Sequence, residues 1–173
     1  IPYYAWAHRD SCEMAVWVAR TIESSRPSPG PTIAFRSRAS ASHGGSLDAL
    51  RDQLEANSSG DHSFIFFHWW PNMGGQEWAQ YDFDEPTKVG AVEIYWFDDT
   101  GRGACRLPES WKLMANVEGE WSEVVNPSEY GIEPDGYNRT TFDPITAEGL
   151  RLEIQSAENF AGGLHEWKVE AAD

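Results

Sequence analysis

The 173-residue sequence predicts an all-β fold, a two-layer sandwich. Three observations carry that expectation: short runs in which apolar and polar residues alternate, turn residues between those runs, and only one stretch, Leu47 to Glu55, with helical character. The alternation is clearest where Leu150, Leu152 and Ile154 share one face while Arg151, Glu153 and Gln155 share the other. That is the pattern of a strand buried on one side. Parallel α/β units would alternate strands with long helical segments, and the sequence has no such rhythm.

Residues 1–22 include an apolar, β-friendly run from Ala15 to Ala19 and read as the last strand or two of a preceding domain. The chain opens in mid-pattern at Ile1-Pro2-Tyr3-Tyr4, as if cut from something longer. Residues 23–31 contain Ser24-Ser25-Arg26-Pro27-Ser28-Pro29-Gly30-Pro31, the composition of a stiff, extended linker. The main domain is therefore expected over residues 32–173. Within it, strands are expected at Thr32–Arg38, Trp78–Phe83, Val89–Phe97, Trp111–Ala115, Trp121–Val125, Arg139–Phe142, Leu150–Ile154 and Leu164–Val169. Glu85-Pro86, Glu118-Gly119, Pro134-Asp135-Gly136 and Gly162-Gly163 supply turns between them. No internal repeat is visible.

Lys and Arg total 13 against 28 Asp and Glu, a net charge of −15, so a polyanion such as DNA is repelled overall and nucleic acid is not an expected partner. No run of about 20 apolar residues crosses a bilayer, so no membrane span is expected either. Two cysteines, Cys12 and Cys105, are too few for a disulfide framework or a four-thiolate zinc site, and idle thiols are the default over a single bridge. The histidines at 8, 43, 62, 68 and 165 lack metal-ligand spacing. The 9 tryptophans are well suited both to a core and to the apolar C–H faces of sugars.

The order and spacing of several segments resemble a known family. They are Ala39-Ser40-Ala41-Ser42, Ala49-Leu50-Arg51-Asp52, Glu77-Trp78-Ala79-Gln80-Tyr81-Asp82-Phe83, Val89 to Tyr95, Pro108-Glu109-Ser110-Trp111-Lys112-Leu113, Leu150-Arg151-Leu152-Glu153-Ile154 and Gly163-Leu164-His165-Glu166-Trp167-Lys168-Val169. Together, over residues 32 to 170, they resemble the discoidin or coagulation-factor type C group of galactose-binding-like carbohydrate modules. The resemblance implies a jelly-roll β-sandwich. A second resemblance lies upstream: Ile1-Pro2-Tyr3-Tyr4-Ala5-Trp6-Ala7 and Glu13-Met14-Ala15-Val16-Trp17 look like the closing strands of the β-L-arabinofuranosidase-like glycoside hydrolases. Asp10-Ser11-Cys12 departs from the Gly and Pro expected there. Some of those enzymes carry a C-terminal module with stretches similar to His68-Trp69-Trp70-Pro71 and Phe97-Asp98-Asp99-Thr100-Gly101-Arg102-Gly103.

The resemblance implies a non-catalytic accessory module of a secreted or periplasmic bacterial glycoside hydrolase. Its partners would be a plant or algal polysaccharide and the tethered catalytic domain. The alternative is a structural domain that packs on the catalytic barrel and binds no sugar. An enzyme in its own right ranks last, because no grouping of nucleophile, acid and base can be assembled; Asp98 and Asp99, adjacent on an extended chain, point to opposite sides.

The resemblance also implies a structural Ca2+ ion held by Asp52, the Leu50 carbonyl with others from 53–58, and Glu166, oxygen donors of the kind calcium prefers. The family's usual Asp-Gly is Asp52-Gln53 here, a departure that counts against the ion if the loop turns through a positive φ, which glycine adopts most readily. The competing reading gives Asp52 and Glu166 ordinary capping and ion-pair roles. For sugar, an aromatic face and planar polar groups are needed, and Trp69, His68, Asp98, Asp99, Arg102 and Arg106 are the candidates, with Trp70 left to the core. Equally, the Asp98 to Arg106 run reads as an internal clasp that fixes the shape of its own loop.

Overall fold

The structure, a computed structural model, describes residues 3–9, 12–18 and 31–172. The chain divides into two compact units, Ile1–Gly30 and Pro31–Asp173. In the first, β1 (Tyr3–Arg9) pairs antiparallel with β2 (Cys12–Val18), from Tyr3 opposite Val18 to Arg9 opposite Cys12. Most of the expected linker, and the Asp10-Ser11 departure, lie outside the described residues.

The second unit opens differently from the strand expected at Thr32–Arg38. Ile33–Arg36 forms a single helical turn, α1, capped by Thr32, whose hydroxyl accepts the Phe35 N–H at 3.0 Å. The strand β3 starts only at Arg38 and runs to Ala41. Likewise, Leu47 to Glu55 is not two helical turns: Leu47–Leu50 makes one 3₁₀ turn and the chain then leaves it. Beyond these come β4 (Phe67–His68), β5 (Gln76–Trp96), β6 (Ser110–Val117), β7 (Glu120–Glu123), β8 (Tyr137–Gln155) and β9 (Gly163–Ala171).

Two of these strands are long and serve both layers. The first part of β5, Gln76 to Asp82, pairs with β3 and with Gly149 to Gln155 of β8, and β8 in turn pairs with β6. The second part of β5, from Thr87 on, pairs with Tyr137 to Ala147 of β8 and with β9. The break in register between Asp82 and Thr87 is where the sequence predicted a Glu85-Pro86 turn. Proline lacks the N–H a ladder needs, and it is accommodated at an irregularity inside a continuous strand. We call the layer holding β3, the start of β5, the end of β8, β6 and β7 sheet I, and the other, with β9 and β4, sheet II.

The core lies between them. Tyr81 of sheet I stacks on Trp167 of sheet II with ring centroids 4.2 Å apart, and Trp96 of sheet II meets Trp111 of sheet I edge to face at 5.8 Å. Leu113, Leu150 and Leu152 face Val92, Ile94 and Leu164 in the same apolar cluster. Most inward polar groups are paired: the Tyr81 hydroxyl lies within hydrogen-bond distance of the Leu50 and Trp167 carbonyls, and both Trp96 and Trp111 donate to the Gly131 carbonyl, whereas the Trp167 Nε1 has no partner among the described residues.

Sheet II is covered on its outer side by residues 51–66. Glu55 accepts from Lys168 at 2.9 Å and from the Tyr137 hydroxyl at 3.3 Å, and the Ser59 carbonyl lies 3.0 Å from Nε2 of buried His165. Ser59 and Asp135 exchange two hydrogen bonds that pin the loop at its middle.

Candidate functional site

At the end of the sandwich opposite the β5 and β8 bends, β4 leads into an exposed loop. Its alternation decides what each aromatic does. Phe67 pairs with Leu164 and His68 with Gly163, and the Trp69 N–H continues the contact by donating to the Gly162 carbonyl. Phe67 and Trp69 therefore point into the core, both fully buried, whereas Trp70 is 52 % exposed. This reverses the expectation for the two indoles: Trp69, the sugar candidate, is a core residue whose Nε1 donates to the Trp78 carbonyl, and Trp70 offers the free face.

Trp70 lines a cleft of about 320 Å³ together with Phe66, His68, Asp99, Gly103 and Cys105. His68 is half-buried, and its Nδ1 has no hydrogen-bond partner. The thiol of Cys105 is buried and free, and burial with the nearby Asp99 charge pushes its pKa up to about 12, so it stays protonated at neutral pH.

Asp98, Asp99 and Arg106 form the internal clasp. Asp98 accepts from the Thr100 and Leu107 N–H groups at 2.8 and 3.1 Å. Asp99 accepts the Cys105 N–H at 2.8 Å and Arg106 at 3.3 Å. Arg106 also donates to the Gly103 carbonyl at 3.1 Å and lies 4.2 Å over the Phe160 ring. Gly103 is required, because any Cβ there would collide with the Asp99 carboxylate. The carboxylates are thus engaged by backbone N–H groups and by Arg106, and of Asp98, Asp99 and Arg106 it is Asp99 that also borders the cleft. Arg102 is exposed on the loop surface. His62 and His165 pack edge-on against Phe97 rather than presenting a ligand set.

The second cluster joins Asp52 and Glu166 across 113 residues of sequence, as the Gln53 N–H donates to Glu166 at 3.0 Å. Glu166 is 1 % exposed, and burial, helped by the Asp52 charge, lifts its pKa from 4.5 to about 8. Asp52 is raised by burial too, although the Leu54 N–H and the adjoining Glu166 carboxyl bond to it. The Leu50 carbonyl accepts the Tyr81 hydroxyl at 2.7 Å and keeps a second lone pair. Gln53 adopts φ 60°, so the left-handed conformation is retained although the glycine is not. Two facing carboxyls in low dielectric are what a cation would relieve. Among the described residues no three acidic, His or Cys side chains converge on a metal position, so the remaining ligands would be backbone carbonyls.

The fold agrees with what sequence and structure comparisons find. The F5/8 type C domain model matches residues 36–167, well over half of the chain. The chain belongs to the F5/8 type C domain family. No curated protein sequence matches it. Among solved structures, this family member is similar to one from the Streptococcus pneumoniae β-galactosidase BgaA, at 16% identity and a TM-score of 0.66, covering 79% of this chain and 92% of that one. A Clostridium perfringens module, CpGH89CBM32-5, in complex with GalNAc-β-1,3-galactose, aligns at 10% identity and a TM-score of 0.61, with 80% and 98% covered. Chitosan-binding module 2 of a Paenibacillus sp. IK-5 chitosanase/glucanase, in complex with chitotriose, aligns at 14% and 0.55, with 81% and 100% covered. At these identities the likeness is one of fold.

Proposed function

We propose that this F5/8 type C domain is a non-catalytic carbohydrate-binding module of a secreted or periplasmic bacterial glycoside hydrolase of the β-L-arabinofuranosidase-like kind, acting on plant or algal polysaccharide. The observation that carries the reading is Trp70, a half-exposed indole beside His68 and Asp99 on the rim of the loop-end cleft. An indole face takes the C–H face of a sugar, and the polar neighbours take its hydroxyls. Structural neighbours bound to GalNAc-β-1,3-galactose and to chitotriose support it. The module would act by proximity, weak binding of the polymer raising its effective concentration at the tethered active site. A structural Ca2+ held by Asp52, Glu166 and the Leu50 carbonyl would staple the 51–66 loop.

Affinity electrophoresis of the full chain in gels containing arabinan, galactan or an algal polysaccharide tests the reading. Retardation in at least one gel, weakened about ten-fold by Trp70→Ala while the melting temperature is kept, is the expected result. Migration unaffected by every polymer would overturn it. Exposed Ile65 and Met73, 63 % and 50 % accessible and within a few residues of Trp70 in sequence, favour the competing reading of a surface that packs on the catalytic domain. Deleting residues 32–173 from the parent enzyme distinguishes the two: loss of soluble folding supports packing, and loss of activity on polymer alone supports binding.

A further inference from the structure

The outer face of sheet I carries an arrangement that no single segment of the sequence displays. Three strands in register build two cross-strand rows there: Gln76, Gln155 and Ser110, then Trp78, Glu153 and Lys112. The next row continues with Gln80, Arg151 and Met114, and β7 adds Trp121 opposite Asn116. Arg151 lies between the two indoles, 5.0 Å from the Trp78 ring and 4.3 Å from that of Trp121, and its Nε donates to Gln80 at 2.9 Å. The first two rows border a cleft of about 380 Å³ lined by Gln76, Trp78, Ser110, Lys112, Glu153 and Gln155.

We infer that this cleft is a second carbohydrate site, separate from the loop end, in which one unit of a neutral glycan chain packs on Trp78. Rigidity, hydrogen-bonding chemistry and charge all favour it. Trp78 stands on a central strand, and Arg151 braces it from the side of Trp121, so the ring is pre-oriented without loop ordering. Glu153 accepts and Lys112 donates; the two are 3.1 Å apart, so a sugar hydroxyl resting beside the pair meets both an acceptor and a donor. The Gln155 amide nitrogen is taken by the Gly74 and Ser156 carbonyls, which fixes its oxygen as an acceptor beside the cleft. The ligand is neutral because Lys112 is matched by Glu153, and the chain's net charge of −15 disfavours a uronate polymer. A cleft of this volume falls in the range of about 300–1,000 Å³ usual for small-ligand sites, and its position on an open sheet suits an internal segment of a chain rather than a chain end.

This second site shares with the proposed function only the premise that the module binds glycan, and the experiment separates the two. The full chain is titrated by affinity electrophoresis with soluble neutral galactan and arabinan, comparing the unmodified protein with Trp78→Ala, Lys112→Ala, Trp70→Ala and the Trp70→Ala/Trp78→Ala pair. Melting temperatures accompany each. Lys112 is exposed and its removal leaves no cavity in the core, so it keeps the test decisive if Trp78→Ala is unstable. The expected result is an affinity about ten-fold weaker for Trp78→Ala, a smaller loss for Lys112→Ala, and no retardation for the pair. Unchanged affinity in Lys112→Ala and Trp78→Ala, with Trp70→Ala alone losing binding, overturns the second site and leaves the loop-end reading standing. Absence of retardation for the unmodified protein overturns both.

Discussion

Across the outer side of sheet II lies the 51–66 loop, tied down by Glu55 to Lys168 and Tyr137, by Ser59 to His165, and by Gln53 to Glu166. Among the described residues, the outer side of sheet I has side chains in place of a loop: two indoles, an arginine between them, and a lysine–glutamate pair. Both faces are made from strands of the same alternating pattern, yet one buries its titratable groups and the other leaves them in contact with solvent. The difference teaches where each kind of consequence should emerge. Burial makes stability depend on the protonation of Glu166, whereas the half-exposed groups of sheet I contribute little to folding and are free to meet a ligand.

The largest effect expected from this contrast is on the covered face. Between 4.5 and about 8 the folded protein holds a proton on Glu166 that the unfolded chain has released. Stability of the metal-free domain therefore falls as pH rises through that window, by at most about 1.4 kcal/mol per pH unit, and is fully present below it. Thermal melts in EDTA at pH 5 and pH 8 should show the drop, and Glu166→Gln should flatten it. Added Ca2+ should raise the melting temperature more at pH 8 than at pH 5, since a ligating carboxylate must first lose its proton. A melting temperature indifferent to both pH and calcium would break the comparison from its covered side.

A smaller effect sharpens it from the open side. Trp121→Ala removes a cation–π contact to Arg151 at the edge of the sheet, so denaturant melts should show a cost below about 1 kcal/mol. A loss of several kcal/mol would mean that the open face is as much part of the folding core as the covered one.

Much of this fold is legible in the sequence, and the failures have common causes. The runs Trp111 to Ala115 and Leu150 to Ile154 form strands, with Leu150, Leu152 and Ile154 buried on one face as expected, because a strand buried on one side imposes period-two patterning. Ile33-Ala34-Phe35 is apolar without alternation, a run too short to distinguish strand from helical turn, and the Thr32 cap settles it. Pro86 has the look of a chain reversal, but a proline at a bulge leaves the strand intact.

The site is less legible. That Trp69 and Trp70 face opposite ways follows from alternation; which faces inward is fixed by the pairing of Phe67 with Leu164, almost 100 residues away. The Asp98 to Arg106 clasp is local, and the sequence already holds both readings of it. By contrast, Trp78, Lys112, Trp121 and Arg151 come from four strands and carry no shared motif. The available signal is a tryptophan at positions 78 and 121 where polar outward residues are the rule.

Exposed indoles of this F5/8 type C domain are expected to meet sugar, and indole N–H resonances report on them one by one. In a titration of the 15N-labelled chain with galacto- and arabino-oligosaccharides, the Trp70 signal should move saturably, with Trp78 moving as well, while buried Trp69, Trp96 and Trp167 stay in place. If no indole signal responds to any of these sugars, or the buried ones move and Trp70 does not, sugar binding through exposed indoles is contradicted.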